Sequence, residues 1–158
     1  LSSINILRHI KYLFGDARPR IFEIGPGAGY LGAMLMLESY PYAATDVTQS
    51  LYLYQNHLWN SVSGGNVVEL AHDDISNDGF PAPSPGEAVL IPWWEYAKLQ
   101  PGQSPRFDVV TCNNCLTEMH AYSLGFTLNL ARHFRKESEG PTFVLTTLGA
   151  LCKVLQVP

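Results

Sequence analysis

The sequence predicts an α/β protein in which helices cover both faces of a mainly parallel sheet. Segments with the apolar pattern of buried strands alternate with longer segments of helical periodicity, and most connections are short. A glycine-rich turn directly follows the first strand, which is typical of a parallel strand that brings the backbone close to a ligand. The predicted strands cover residues 20–24, 42–46, 67–70, 107–112 and 142–147.

The helices are predicted from capping residues and apolar spacing. Ser2 or Ser3 caps a first helix with apolar residues at helical spacing, and Gly15 ends it. The second helix is apolar almost all round, which predicts that it is buried on more than one side. This second helix is predicted over residues 29–39. The third runs from a cap at Asp46 or Thr48 to a stop at 63–65, and the fourth covers residues 121–135.

Composition and charge limit the class of protein. With 158 residues, of which 46% are hydrophobic and 15% charged, the chain fits one compact domain. A net charge of −4 provides no basic surface for nucleic acid or for anionic lipid. No apolar run approaches the roughly 18 residues that span a bilayer, and no secretory signal opens the chain. We therefore expect a cytoplasmic protein whose partner is a small molecule, with further chain segments outside this sequence.

Three cysteines cannot form a fully paired disulfide framework. Cys112 and Cys115 make an isolated C-x-x-C pair, and a zinc site would need a second pair or histidines at ligand spacing. We expect reduced thiols that pack as small apolar groups. No metal site is predicted.

A proline-rich segment interrupts the pattern of strands and helices. We treat residues 1–19 as a helix that packs on the core, and residues 20–158 as a ligand-binding core with an insert at 76–106. The insert carries Trp93 and Trp94, which favour equally a lid over a ligand and an anchor on the sheet. Trp59 on the third helix is assigned to packing.

The glycine turn can be interpreted in two ways. Residues 27–32 match the G-x-G-x-x-G pattern of dinucleotide-binding folds, in which a helix N-terminus receives a pyrophosphate. Residues 23–29 instead place Glu23 two positions before a G-x-G-x-G turn. A carboxylate there attracts a cationic amino group and repels phosphates, which favours the second interpretation.

With Glu23, three alternating glycines and an acid after the second strand, the sequence resembles the class I S-adenosylmethionine-dependent methyltransferases. The resemblance implies a Rossmann-like three-layer sandwich. It implies that Glu23 approaches the amino group of the cofactor's methionine and that Asp46 binds the ribose hydroxyls. Asp73, with Asp74 close behind, is expected to contact the adenine. The other implied cofactor contacts are Gly25, Gly27, Gly29, Tyr30 and Asn113.

The fourth strand and the residues after it strengthen this resemblance. Residues 107–120 resemble the family's F-D-h-V strand, which is followed by a Leu and a polar Glu/His turn into a helix. The strand does not end in N-P-P-Y, which disfavours methylation of nucleobase or glutamine nitrogens. The chain leaves no room after Thr147 for the antiparallel hairpin that closes the family's sheet, so we expect it to be truncated before that hairpin.

These features predict an enzyme that transfers a methyl group from S-adenosylmethionine to a small molecule, at an oxygen of a sugar or secondary metabolite. His120 is the candidate general base because imidazole titrates near neutral pH, and Glu118 is the second candidate. A structural alternative makes His120 a helix cap. A divalent ion held by His72, Asp73 and Asp74 together with Glu118 or His120 is a further alternative.

Two other functions remain open from the sequence. The overlapping G-x-G-x-x-G pattern is compatible with an NAD-dependent oxidoreductase. A catalytically silent, cofactor-binding domain of a larger protein is the non-enzyme alternative.

Overall fold

A computed structural model of the chain describes residues 2–75, 78–100, 102–113, 115, 119–134, 142–148 and 151–157. Within these residues, helices and strands alternate through most of the chain. In order they are α1 (Ser2–Phe14), β1 (Ile21–Ile24), α2 (Tyr30–Leu37), β2 (Tyr42–Asp46), α3 (Gln49–Ser63), β3 (Val67–Glu69), β4 (Ala88–Pro92), α4 (Trp93–Tyr96), β5 (Val109–Asn113), α5 (Ala121–His133), β6 (Thr142–Leu148) and β7 (Leu151–Val157).

The strands form a single sheet in the order β3-β4-β2-β1-β5-β6-β7. Every neighbouring pair is parallel except β6 and β7. From β1 the chain adds strands on one side and then returns to place β5 on the other. Strand order therefore reverses between β1 and β5, where an open α/β sheet forms its ligand crevice.

Two apolar clusters cover the two faces of the sheet. Alternate residues of each central strand enter opposite clusters, so that Ile21 and Leu90 face one while Phe22 and Val89 face the other. The first cluster contains the buried side chains of α1, α2 and α3. The second contains residues that follow β4 and α5, among them Tyr96 and Phe134. This is the predicted α/β three-layer sandwich, and the expectation of a mainly parallel sheet is confirmed.

α1 packs on the core through Ile6, Leu7 and Ile10, which are buried in the first cluster. Its apolar residues recur at spacings of one, three and four, which places them on one side of a helix. None of the helices in the described residues is both long and apolar enough to cross a bilayer.

The proline-rich segment contributes more to the sheet than its sequence indicates. Residues Ala88–Pro92 form β4, which lies between β2 and β3 and is buried along its whole length. Phe80 and Leu99, on either side of β4, are buried in the second cluster. The segment treated as an insert thus supplies an internal strand, because its apolar run is long enough to cross the sheet before Pro92 ends it.

One antiparallel strand follows β6, in the part of the chain after Thr147 where the sequence left no room for the family's closing hairpin. β7 pairs antiparallel with β6 over seven residue pairs, from Thr142 with Val157 to Leu148 with Leu151. Only two residues separate the strands in the sequence. A connection that short permits antiparallel pairing, whereas a parallel neighbour would need a crossover of a dozen residues.

Candidate functional site

A cavity of about 640 Å³ opens at the carboxyl ends of the parallel strands. Its walls come from the ends of β1, β2 and β4 and from the segment that enters α5. No Lys, Arg, Asp or Glu occurs among its described lining residues, which are Ile24, Gly25, Thr45, Val47, Trp93, Tyr96, Ala97, Cys115, Met119, His120, Tyr122, Ser123, Phe126 and Thr127. The described walls of the cavity are therefore uncharged and rich in aromatic side chains.

The glycine turn between β1 and α2 depends on positive φ angles. Gly25, Gly27 and Gly29 have φ values of 65°, 57° and 71°, in the left-handed region that other L-residues disfavour. A Cβ at Gly25 would lie 3.0 Å from Cβ of Cys115, and one at Gly29 would lie 2.9 Å from Nε1 of Trp59. These two glycines are needed for close packing as well as for the conformation of the turn.

Helix α3 holds the turn through two side chains that the sequence analysis did not include in the site. Gln55 Nε2 donates to the carbonyl oxygen of Gly27 at 2.7 Å and to Oδ2 of Asp46 at 2.8 Å. Trp59 Nε1 donates to the carbonyl oxygen of Gly29 at 2.8 Å. Gln55 and Trp59 are four residues apart and share one helix face. The sequence signal that could have identified them is a Gln and a Trp four residues apart on the helix that follows β2.

Glu23 is completely buried behind the glycine turn. Its Oε2 accepts a hydrogen bond of 2.5 Å from the Tyr42 hydroxyl, whereas its Oε1 has no partner among the described residues. Burial raises the pKa of Glu23 to about 7, the Tyr42 hydrogen bond opposes the rise, and the nearby Asp46 carboxylate adds to it. The unpartnered oxygen is suited to a donor, and above all to a cation.

Asp46 ends β2 and is also buried, with 5% of its surface exposed. Oδ1 accepts from the backbone N–H of Thr48 at 2.8 Å, and Oδ2 accepts from Gln55. Each carboxylate oxygen can accept a further hydrogen bond, and Oε1 of Gln55 is buried without a described partner. Asp46 and Gln55 thus place unused acceptor capacity at the end of β2.

On the side of β2 away from β1 lies β4, and the register of this pair aligns Asp46 with Pro92. The residues that follow these two, Val47 and Trp93, both line the cavity and are 75% and 48% exposed. They present an aliphatic and an aromatic surface at one edge of the sheet.

Asp73 and Asp74 follow β3, one strand farther out. Both are exposed and neither lines the cavity, and the Asp74 carboxylate lies 3.9 Å from Nζ of Lys98. Their predicted adenine contact stays a prediction. No group of three His, Cys, Asp or Glu side chains that could hold a metal occurs in the described part of the chain.

His120 lines the cavity and immediately precedes α5. Its Nδ1 accepts from the backbone N–H of Tyr122 at 3.4 Å, and its ring stacks on that of Tyr122 at 5.5 Å. A neutral imidazole whose Nδ1 accepts carries its proton on Nε2, so in this state Nε2 is a donor. The helix-cap contact and the position in the cavity wall are thus both present.

The other three candidate residues are less closely placed. Glu118 lies outside the described residues. Tyr30, the first residue of α2, is 60% exposed and does not line the cavity. Asn113 ends β5, and its Nδ2 donates to Oγ of Ser2 at 3.3 Å, which joins the end of β5 to the start of α1.

Cys112 and Cys115 are joined by a disulfide. The expectation that both are reduced thiols is therefore wrong. The reason is geometric, because the chain leaves β5 at Asn113 and brings Cys115 back beside Cys112, with Cys115 in the cavity wall.

The fold has clear counterparts among solved structures. Magnesium protoporphyrin IX methyltransferase (ChlM) from Synechocystis PCC 6803, with bound SAH, superposes with a TM-score of 0.61 at 10% identity over 92% of this chain and 53% of that one. The glycopeptide N-methyltransferase MtfA gives 0.60 at 12%, over 91% and 52% of the two chains. The methyltransferase domain of a bacterial Hen1 gives 0.55 at 13%, over 91% and 63%.

The chain has the fold of the class I S-adenosylmethionine-dependent methyltransferases. At these identities the likeness is one of fold, and the chain spans about half the length of the first two proteins. No protein-family model and no curated protein sequence matches the chain. Within this methyltransferase fold, the cavity lies beside the reversal of strand order between β1 and β5.

Proposed function

We propose that this chain binds S-adenosylmethionine and transfers its methyl group to a small, uncharged acceptor, at an oxygen of a sugar or secondary metabolite. The observation that carries the proposal is the buried Glu23 carboxyl with an unpartnered Oε1 directly behind a left-handed glycine turn. A cationic amino group fits that oxygen, whereas the pyrophosphate of NAD would be repelled by it. The oxidoreductase alternative is therefore disfavoured.

The cofactor's parts can be assigned to different strand ends. We assign the methionine amino group to Glu23, and the ribose hydroxyls to Asp46 and the unpartnered Oε1 of Gln55. Val47 and Trp93 are assigned to the faces of the nucleobase, since stacking on an aromatic ring and on an aliphatic side chain suits a flat, uncharged group. When bound, the cofactor supplies a methyl group activated by its sulfonium.

The acceptor is assigned to the aromatic side of the cavity. Tyr122 and Phe126 are exposed there, and no described charged side chain lines the cavity with them. Holding an acceptor oxygen against the methyl carbon contributes most of the rate, about 7–11 kcal/mol of the barrier when alignment is good. We assign that alignment to the aromatic walls of the cavity.

His120 is assigned to the acceptor's hydroxyl proton. A neutral imidazole whose Nδ1 accepts from Tyr122 has a proton on Nε2 to donate, and we assign His120 a first role in orienting the acceptor oxygen. It becomes a base if the 3.4 Å contact to Tyr122 breaks and Nδ1 turns to the cavity. Glu118 stays the second candidate.

Calorimetry with S-adenosylhomocysteine tests the cofactor assignment. We expect binding to the unmodified chain, and its loss in Asp46→Ala and in Gly27→Val. Gly64→Val is the matched control, because Gly64 also has a positive φ and open space around it but lies at the end of α3. Thermal stabilisation by NAD but not by S-adenosylhomocysteine would contradict the proposal.

Turnover of His120→Ala tests the chemical role. The assay uses a labelled methyl donor and a panel of small hydroxylated acceptors. We expect the cofactor affinity to be unchanged and the turnover rate to fall by roughly 10²-fold or more. His57→Ala, on α3, is the control. Unchanged turnover would remove His120 from the chemistry. Cofactor binding without methylation of any acceptor, even in a longer protein, would favour the silent-domain alternative.

A further inference from the structure

The C-x-x-C pair is the one sequence motif that the proposed function does not use. Cys112 belongs to β5 and is 1% exposed, whereas Cys115 lies in the wall of the cavity. Their disulfide therefore has one sulfur in the core and the other beside the cavity.

The same disulfide contacts the glycine turn. Sγ of Cys115 lies 3.0 Å from the carbonyl oxygen of Ile24, the last residue of β1. At Gly25 there is no room for a side chain on the Cys115 side, because a Cβ there would lie 3.0 Å from Cβ and 3.2 Å from Sγ of Cys115. The backbone N–H of Gly25 donates to Thr45, which also lines the cavity. The disulfide thus bonds β5, through Cys112, to Cys115, and Cys115 packs against the first residue of the turn.

We propose that the Cys112–Cys115 disulfide is a redox switch for the cofactor site, with the oxidised form binding the cofactor more tightly than the reduced form. This inference rests on the proposed function. The bond holds Cys115 against Gly25 and Ile24, so the cavity wall is already ordered when a ligand arrives. Once the bond is broken, Cys115 gains conformational freedom, and binding must again restrict it.

Reduction by a dithiol is chemically balanced at this position. One thiolate of the reductant attacks Sγ of Cys115 from the cavity, and Cys112 leaves as a thiolate that takes up a proton. The second thiol of the reductant then attacks the mixed disulfide and releases Cys115 as a thiol. The protein gains two electrons and two protons, and the reductant becomes its own disulfide. Because Cys112 is buried, Cys115 is the sulfur that a reductant reaches.

A ligand in the cavity must affect the disulfide in return. By linkage, the factor by which oxidation tightens ligand binding equals the factor by which the ligand shifts the equilibrium towards the disulfide. A disulfide that is only a structural neighbour of the cavity would give a factor of one in both measurements.

The first test compares the affinity for S-adenosylhomocysteine of the oxidised and the dithiothreitol-reduced chain by calorimetry. We expect reduction to raise the Kd about tenfold. Cys112→Ala combined with Cys115→Ser should bind like the reduced chain and should not respond to the reductant. Cys152→Ser is the matched control, since it keeps the disulfide and should respond like the unmodified chain.

The second test measures the fraction of disulfide, by thiol labelling, in mixtures of reduced and oxidised dithiothreitol with and without S-adenosylhomocysteine. The ligand should raise the reductant ratio needed for half reduction by the same factor of about ten. Equal affinities in the two redox states, or two free thiols under all conditions, would overturn the switch and leave the proposed function standing.

If S-adenosylhomocysteine binds neither form, the proposed function fails, and the switch is judged without a ligand. Hydrogen exchange of the glycine turn, followed by mass spectrometry, should then accelerate on reduction of the unmodified chain and stay unchanged in the double variant. Identical exchange in both redox states would overturn the switch.

Discussion

Glu23 shows how far a single residue can depart from its behaviour in water. The sequence shows only that an acid precedes the glycine turn, and burial beside Tyr42 and Asp46 raises its pKa to about 7. The Tyr42 hydroxyl stabilises the ionised form through a hydrogen bond, but desolvation has the larger effect. Near neutral pH, Glu23 is therefore poised between its two protonation states.

The first residue-scale prediction concerns stability and pH. Between pH 4.5 and about 7 the folded state binds more protons at Glu23 than the unfolded state, so the free energy of unfolding falls as pH rises. The fall amounts to about 3 kcal/mol at most. Glu23→Gln should remove this dependence in denaturant titrations at pH 5, 6, 7 and 8.

Glu38→Gln is the matched control for this prediction. Glu38 is a partly exposed acid that pairs with Lys11 on the surface, so its replacement should leave the pH dependence in place. A pH dependence of Glu23→Gln equal to that of the unmodified chain would show that Glu23 does not titrate in this window.

Residue-level prediction from the sequence was good where a local pattern determined the environment. The left-handed glycines could be predicted, because alternating glycines after a strand indicate a turn that other residues cannot adopt. Gln55 could not be assigned to the site, since its two hydrogen bonds reach residues nine and 28 positions away. Such partners follow from how α3 packs and not from its sequence alone.

At the scale of elements, α3 covers one face of the sheet and also fixes the glycine turn by hydrogen bonds, which we call the α3 clamp. Tyr52, Gln55 and Trp59 form its buried face, and the last two hold the carbonyl groups of the glycine turn. The sequence alone assigns Trp59 to packing. The structure adds a hydrogen bond from its indole N–H, which gives the residue a positioning role.

An element-scale prediction follows for Trp59→Phe. The change keeps an aromatic ring in the core but leaves the Gly29 carbonyl oxygen without its 2.8 Å donor. Because this oxygen still accepts from the backbone N–H of Ala33 at 3.0 Å, we expect a loss of roughly 0.5–1.5 kcal/mol in the free energy of unfolding, and weaker binding of S-adenosylhomocysteine. Urea unfolding and calorimetry measure the two effects.

Tyr54→Phe is the control on the same helix, because Tyr54 is 45% exposed and lies off the buried face. It should change neither quantity. Full cofactor affinity in Trp59→Phe would contradict the clamp while leaving the packing role intact.

Helices and strands with a clear apolar pattern beside turn residues could be predicted from the sequence, whereas β4 could not. α1 and α3 show apolar residues at helical spacing, and β1, β2 and β5 are short apolar runs beside turn residues. β4 has the same apolar character, but it is surrounded by prolines that indicate loop. Its assignment required the neighbouring strands, because a strand is defined by its partners.

At the scale of the whole molecule, β4 is a central strand and β3 an edge strand. Leu90→Ala should therefore cost about 2–5 kcal/mol in the free energy of unfolding, since Leu90 is fully buried under α3 and the cavity left behind cannot collapse freely. Thermal unfolding followed by circular dichroism measures the loss.

Val68→Ala on β3 is the comparison for Leu90→Ala, because Val68 is only partly buried. We expect it to cost roughly 1 kcal/mol or less. Equal losses at the two positions would contradict a central position for β4.

The predicted cytoplasmic location stays a prediction.

The sequence by itself determined the α/β class, the glycine turn and the acid at the end of β2, because each depends on neighbours within a few residues of the chain. The tertiary structure alone decided that β4 lies beside β2, that β7 pairs with β6, and that Cys115 bonds to Cys112 beside Gly25. These features depend on which segments the folded chain brings together. Burial then sets their chemistry, as it does for the carboxyl of Glu23.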